Sequence, residues 1–389
     1  DRRLGDQQGM SVDFALSDDQ EILREQVRRF AEERIRPGIE EREREHRFPS
    51  EIVAEMAELG LLGMMVPEEF GGAGADVLTY ALAVEELARV CPSVAVTMSV
   101  SNSVCCWPIV RFGNDDLKRR ALPGLAAGGE IGAFGLTEPG AGSDPAGMKA
   151  TARRDGDSWV LDGEKAWITN AGFATWYVVV ARTNPDAGKK GISAFAVPAD
   201  APGFSVGQPE EKMGLHASRT AQIFFSGCRI PAGNLLGEEG MGLKVAFATL
   251  NHSRVGIAAQ ALGIHQRALE LAVAYARERQ QFGRPIAEHQ AIQFKIAQIS
   301  TELAASRALT YHAAAGEKTS EAGRLAAQAK LYASEAANRA CAESLQIHGG
   351  NGFHDHYEIS RLYRDVRVTT IYEGTSEMQR LVIARHLLG

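Results

Sequence analysis

Over the first 130 residues the apolar positions recur at helical spacing. Ser17 and Gln20 have the form of a capping box. Ile22, Leu23, Val27, Phe30, Ala31 and Ile35 follow on one face, and Pro37 ends the run. A second helix carries Ile52, Val53, Met56 and Leu59 and closes at Gly60. A third begins at Asp76 and buries Tyr80, Val84, Leu87 and Ala88, and a fourth follows Asp115. Near Ile131 the period changes to two. Residues 131–137, 158–161, 176–181, 192–197 and 221–225 read as strands, with Asp162-Gly163 as a hairpin turn between two of them. Short strands parted by Gly, Pro, Asn and Asp predict a small antiparallel sheet or barrel rather than βαβ units. After Gly242 the helical period returns over 243–279, 286–315, 321–347 and 376–388. Four such helices predict a bundle.

The fold class is therefore α+β, multidomain. An N-terminal α-helical domain is expected over 10–132, a middle antiparallel β-domain over 133–241, and a C-terminal four-helix bundle over 242–389. Composition adds exclusions. The 42 basic and 49 acidic residues leave a formal charge of −7 with no long block of one sign, which argues against nucleic acid as the main partner. No uninterrupted apolar run approaches the ~20 residues needed to span a bilayer. Residues 1–10 contain no apolar stretch of signal-peptide length, and Met10 is a candidate start preceded by a tag or extension. The five cysteines form no C-x-x-C pair, and Cys105 and Cys106 are adjacent, which fits a reducing compartment. Glycine is in excess at 40 residues, and the excess clusters over 128–147 and at Gly349, Gly350 and Gly352.

Common signatures are missing. The chain has no G-x-G-x-x-G, no G-x-x-x-x-G-K-[ST], no H-E-x-x-H, no G-x-S-x-G and no S-x-x-K. His354-Asp355-His356 with Glu358 has metal-ligand residue types, but a structural or solvated role is favoured and no metal is expected.

Four segments carry candidate chemistry. The run from Leu136 to Asp144, LTEPGAGSD, follows a strand. Its glycines allow close backbone approach to a ligand and Thr137 and Ser143 add hydroxyls, though a plain turn loop has the same composition. In Ala166 to Asn170, AWITN, the Trp167 face suits a planar ring and Thr169 a ring heteroatom. A core tryptophan is the alternative. Gln346 to Gly352, QIHGGNG, reads either as a helix stop or as exposed backbone for a phosphate or ribose. Ile371 to Arg380, IYEGTSEMQR, places Glu373 beside a glycine just before the last helix. A glutamate in an apolar pocket becomes a stronger base when a ligand displaces water, whereas a capping or solvated acid is the local alternative.

Taken jointly, these segments resemble the acyl-CoA dehydrogenase family. TEPGAGSD, WITN, the R-x-x-F-G of Arg279 to Gly283, the Gln346 stretch and IYEGTSE match the family's pattern in order and spacing from about Ser17 to Gly389. SRVGIAAQALGI from Ser253 and IYEGTSEMQRLVIARHLLG from Ile371 bring the chain nearest to short-chain, butyryl-CoA-type and bacterial members. The resemblance implies FAD between the β-domain and the C-terminal bundle. Phe134, Leu136, Thr137, Gly142, Ser143, Trp167, Ile168 and Thr169 would form the flavin and pyrophosphate side. Arg279, Phe282, Gln290, Gln346, Ile347, His348, Gly349 and Gly350 would hold the adenine half, usually from a neighbouring subunit, and Thr375, Ser376 and Glu377 would complete the site. Ser143, Asn251, Arg254, Gly374 and Arg385 would touch acyl-CoA, with Arg254 equally suited to orienting the Glu373 loop.

The implied reaction is FAD-dependent α,β-dehydrogenation of an acyl-CoA, short-chain or short branched-chain, to the trans-2-enoyl-CoA. Glu373 would be the α-proton base and flavin N5 the hydride acceptor. Some family members carry the base near position 253 instead, but Asn251-His252-Ser253-Arg254 holds no carboxylate. His348 and the Asn251-His252 pair depart from the commoner residues at those points. The resemblance also implies electron-transferring flavoprotein as acceptor, a homotetramer, a place in fatty acid β-oxidation, and a bacterial cytoplasmic or mitochondrial matrix location. An acyl-CoA oxidase and a silent CoA-ester-binding paralogue are the alternatives.

Overall fold

The computed structural model describes residues 15–389, so the candidate start at Met10 lies outside the described residues. The chain begins in helices: α1 (Asp18–Phe30), α2 (Ile39–Arg44), α3 (Ser50–Glu58), α4 (Val77–Val90), α5 (Pro92–Val100), α6 (Trp107–Phe112) and α7 (Asp115–Ala127). The capping box at α1 forms as its sequence predicts: Gln20 N–H donates to Ser17 Oγ at 3.2 Å and Ser17 N–H to Gln20 Oε1 at 3.1 Å. Pro37 sits in the 3₁₀ turn Arg36–Gly38 that follows a π-helical segment, Ala31–Ile35. Asp76 caps α4, whose Tyr80, Val84, Leu87 and Ala88 are all buried. Leu59 is exposed, past the end of α3 rather than on its packed face.

One helical stretch, Pro92–Phe112, escaped the sequence pattern. It is long and apolar enough to cross a membrane by length and composition, but 89% of its most apolar window is buried inside the protein. Serines, a threonine and an asparagine are scattered through its apolar run on every side, so no face marks a helical period. They are tolerated inside because they bond back to carbonyls: Thr97 Oγ1 donates to Ser93 at 3.1 Å and Ser103 Oγ to Ser99 at 2.7 Å.

The middle of the chain is one sheet. Its strands are β1 (Gly132–Gly135), β2 (Thr151–Asp155), β3 (Ser158–Thr169), β4 (Trp176–Arg182), β5 (Ile192–Pro198), β6 (Phe204–Pro209), β7 (Thr220–Pro231) and β8 (Leu235–Leu236). Their order is β6-β7-β3-β2-β4-β5-β8, with β1 beside β4. Pairing is antiparallel except for β1 with β4 and a single parallel pair, Thr151 with Arg182. Asp162-Gly163 is not a turn. β3 runs straight through it, with a break of register against β7 between Leu161 and Gly163. Gly163 is required by close approach: at φ 127° its missing Cβ would lie 2.8 Å from Ala150 Cα. The hairpin turn is made instead at Gly156-Asp157, between β2 and β3, where Gly156 has φ 58°.

The last part is helical again: α8 (Gly242–Glu278), a small ribbon of β9 (Gln280–Gln281) and β10 (Arg284–Pro285), α9 (Gln290–Ala315), α10 (Ala322–His348), α11 (Glu358–Val366) and α12 (Ser376–Leu388). α8, α9 and α10 pack on one another, α12 lies on α10, and α4 packs along α8. A single apolar cluster therefore runs from Tyr80 and Val84 through Ala258 and Ala261 to Ala333 and Ala337. Small residues on these faces let the helix axes approach closely.

Candidate active site

The glycine-rich loop after β1 is held by an ion pair. Glu138 accepts from Lys149 N–H at 2.6 Å, Ala150 N–H at 3.0 Å and Lys165 Nζ at 2.7 Å. Lys165 is fully buried in β3 and also donates to the Leu136 carbonyl at 3.3 Å. Burial alone would raise the Glu138 carboxyl, but these donors hold it below the usual range. Ala166 N–H donates to the Thr137 carbonyl at 2.9 Å, so the two motifs lie side by side.

This backing shapes the surface. Opposite β7 the register breaks again between Lys165 and Ile168. Trp167 stands out there at φ 62° and 61% exposed. Such a backbone conformation is costly for a bulky residue, and an unburied tryptophan ring is unusual. Thr137 and Thr169 are partly exposed beside it, and Gly142 and Ser143 are exposed. An open aromatic face flanked by hydroxyls and free glycine backbone fits a flavin ring and its phosphates. Leu136 and Ile168 are buried, so only their backbone faces such a ligand. Asn170, the last residue of WITN, is structural: its Nδ2 donates to the Thr97 and Gly132 carbonyls at 3.1 and 2.9 Å, tying the sheet to the Pro92–Phe112 helix.

Glu373 lies in the turn before α12, in left-handed backbone at φ 52°, followed by Gly374 at φ 95°. Ser253 Oγ, on α8, donates to Glu373 Oε2 at 2.5 Å. Burial raises the Glu373 carboxyl above the usual range, against the opposing pull of Ser253, Lys330 and Arg254. The Gly374 carbonyl accepts from Lys330 Nζ and from Gln379 Nε2, each at 2.7 Å. Lys330 is fully buried in α10, and burial lowers its ammonium to about 8. Arg254 is buried as well, lowered to about 10, with Nη1 donating to Asn251 Oδ1 at 2.5 Å and Nε without a partner. Its Nη2 lies 3.8 Å from where a Gly374 Cβ would be. Thr375 caps α12 by accepting Met378 N–H at 3.4 Å. Ser376 is buried, Glu377 is exposed, and Arg385 lies exposed in the last turn of α12.

The two loci share a wall. Phe134 from β1 and Tyr372, next to Glu373, pack on one apolar cluster of Val96, Val100, Val104 and Leu215. A third locus stands apart. A cavity of about 530 Å³ is lined by Arg279, Phe282, Ile347, His348, Gly349 and Gly350, joined by Tyr275 and Asn351. His348 stacks on Tyr275 at 4.2 Å, and Asn351 Nδ2 donates to the Tyr275 hydroxyl at 3.0 Å. Phe282 is 94% exposed. Gln290 and Gln346 do not line this cavity, and no β-domain residue does. At His354 and His356 the rings stack at 4.9 Å, and among the described residues no three His, Cys, Asp or Glu side chains gather as a metal site.

Ser253, Lys330, Gln379 and the Glu138–Lys165 pair were missed by the sequence reading. Lys330 alone had a local signal, a charged residue within the alanine-rich stripe of α10.

Comparison with known proteins identifies the family and the fold. The model of the acyl-CoA dehydrogenase N-terminal domain matches residues 17–129, that of the middle domain 133–228 and that of the C-terminal domain 240–388. An acyl-CoA dehydrogenase of Bacillus subtilis (strain 168) is 47% identical over 375 residues, covering 96% of this chain and 99% of that protein. The mitochondrial short-chain specific acyl-CoA dehydrogenase of Mus musculus is 49% identical over 374 residues, covering 96% and 91%. The structure of butyryl-CoA dehydrogenase from Megasphaera elsdenii superposes with a TM-score of 0.95 at 42% identity, covering 97% of this chain and 100% of that one. The chain belongs to the acyl-CoA dehydrogenase family of FAD-dependent enzymes.

Proposed function

We propose that this enzyme dehydrogenates a short-chain or short branched-chain acyl-CoA at its α,β bond, with Glu373 as the base that takes the α-proton. The observation that carries this reading is the Glu373 carboxylate itself, set in a strained turn, raised by burial, and next to Tyr372, which packs on the same apolar wall as Phe134. A thioester α-proton is too weakly acidic for a carboxylate in water. An acyl chain filling the space beside Glu373 excludes water and raises its basicity further. The Glu373 N–H makes no hydrogen bond among the described residues, which suits it to the thioester oxygen. FAD, when bound, supplies the acceptor for the β-hydride. Thr137, Thr169 and Trp167 would hold its ring, and Ser143 and Gly142 its phosphates. Asn251, Arg254, Gly374 and Arg385 would contact acyl-CoA.

Six of the eight adenine-side residues, all but Gln290 and Gln346, line a cavity with no β-domain contribution, which supports a second subunit completing each cofactor site and hence an oligomer, a homotetramer by family likeness. Electron-transferring flavoprotein would be the acceptor. The short-chain preference rests on the butyryl-CoA and short-chain relatives. Anaerobic bleaching of the bound flavin by butyryl-, isobutyryl-, 2-methylbutyryl-, hexanoyl- and octanoyl-CoA tests the whole reading. Fastest bleaching is expected with a four- or five-carbon acyl group, and a flavin that stays oxidised with all five would defeat it.

A further inference from the structure

Lys330 has no role in the site as described so far, yet it is placed where a role is hard to avoid. It is fully buried in α10, on a face shared with Ala326, Ala327, Ala333, Ser334 and Ala337. A lysine among alanines costs burial of a charge unless that charge is answered. Among the described residues Lys330 makes no ion pair; its one hydrogen bond goes to the Gly374 carbonyl at 2.7 Å. That carbonyl belongs to the Gly374–Thr375 peptide, one residue past Glu373. It also accepts from Gln379, which is itself fully buried. Two buried donors on one oxygen fix the Gly374–Thr375 peptide, and Gln379 Nε2 also reaches the Glu373 carbonyl at 3.4 Å, so together they hold the turn that carries Glu373.

The charges around Lys330 are few. Glu373 faces it from the turn, Arg254 from α8, Glu335 from its own helix and Glu377 from α12. Glu373 heads the attractive ones, and Lys330 in turn heads the cations acting on the Glu373 carboxyl.

We propose that Lys330 is a positioning residue for the base: its ammonium anchors the Gly374 carbonyl and biases the neighbouring Glu373 carboxylate toward the ionised form that accepts a proton. This rests on Glu373 being the base, and the experiment separates the two claims. Glu373→Gln is assayed first for flavin reduction in the holoenzyme, and loss of reduction there establishes the base. Lys330→Met, Lys330→Gln and Lys330→Arg are then profiled from pH 5.5 to 9.5 for the rate of anaerobic flavin reduction by butyryl-CoA, with FAD content measured alongside.

In Lys330→Met the acid limb of the profile moves up by about one pH unit, because Glu373 loses the cation that attracts it most. On the acid limb the rate falls by up to about tenfold, whereas the rate at pH 9 stays within about twofold of the parent. Lys330→Gln keeps a donor without the charge and shows the same limb shift, so it carries the test if the methionine variant does not yield holoenzyme. Lys330→Arg restores the parent limb. A rate that falls by the same factor at every pH, with the limb unmoved in both neutral variants, overturns the proposal and leaves Lys330 a packing residue. A Glu373→Gln variant that still reduces flavin removes the base assignment and this proposal together.

Discussion

Lys165 and Lys330 are both buried without exposure, and they stand at the two halves of the proposed chemistry. Lys165 closes its charge on the spot, with Glu138 at 2.7 Å and the Leu136 carbonyl behind it. Lys330 has only a carbonyl within hydrogen-bonding reach, and its attraction to Glu373 acts over a longer distance. The paired glutamates differ in the same sense. Glu138 is held below the usual carboxyl range by three donors, whereas Glu373 is raised by burial against weaker opposition. A carboxylate saturated by an ammonium and two backbone N–H donors is poorly suited to be a base, whereas one that accepts a single hydroxyl keeps an oxygen open for a proton. The β-domain thus uses its buried charges to hold a shape, and the helical domain uses them to tune a proton acceptor.

Exchanging the two glutamates for glutamine sharpens this contrast most. Glu373→Gln is expected to bind FAD normally and to lose flavin reduction by at least about 10³-fold, within the range a general base supplies. Glu138→Gln is expected to do the reverse, with a lower melting temperature and poorer flavin retention but a reduction rate per bound flavin close to the parent. Stopped-flow reduction and flavin-to-protein ratios read both outcomes. Equal rate losses in the two variants would erase the distinction.

The lysines break along a different line. Lys165→Met strands Glu138 as a buried, unpaired charge and is expected to cost about 3–5 kcal/mol in denaturant unfolding. Lys330→Met strands nothing, since Gln379 still serves the Gly374 carbonyl. Its signature is the pH dependence of stability. The folded-state ammonium is lowered from the usual 10.5 to about 8, so between those pH values the unfolded chain binds more protons than the native one. Stability in the parent should therefore gain on the order of 3 kcal/mol as pH rises from 8 to 10.5, relative to Lys330→Met, where that gain is absent. Denaturation curves at pH 8 and 10.5 for the two proteins, showing parallel shifts, would count against a buried titrating lysine.

What the sequence revealed follows the range of the interactions. The α1 cap, the faces of α4 and the long C-terminal helices are written in neighbours three or four residues apart, and they were legible. β2 was not, because Arg153, Arg154 and Asp155 leave it without an apolar alternation, Ala152 being its one buried residue. The Pro92–Phe112 helix was missed for the opposite reason: every residue from Pro92 to Cys106 is buried, so no polar face marks a period. Asp162-Gly163 misled because a glycine that permits a strand crossing looks the same as one that permits a turn. In the site, Trp167, Thr137 and Glu373 were candidates from local residue types, and motif resemblance alone separated the ligand roles from the ordinary ones. The contacts that give them meaning join residues 27 apart for Lys165 and Glu138, 44 for Lys330 and Gly374, and 120 for Ser253 and Glu373. No local pattern encodes those pairs, although a lone lysine in an alanine face was a visible anomaly.

The smallest expected effect supplies the yardstick for both lysines. Ser17 and Gln20 close a capping box at the solvent-exposed start of α1, at neither buried charge. Ser17→Ala removes one N–H acceptor there while water can still reach the freed group, so the cost should be about 1 kcal/mol. The loss should be the same at pH 6 and pH 9, because no titrating group is buried or exposed by it. Flavin reduction should keep the parent's rate and acid limb. If Ser17→Ala shifted that limb as far as Lys330→Met does, general loosening of the fold would explain both, and the lysine's charge would no longer be needed.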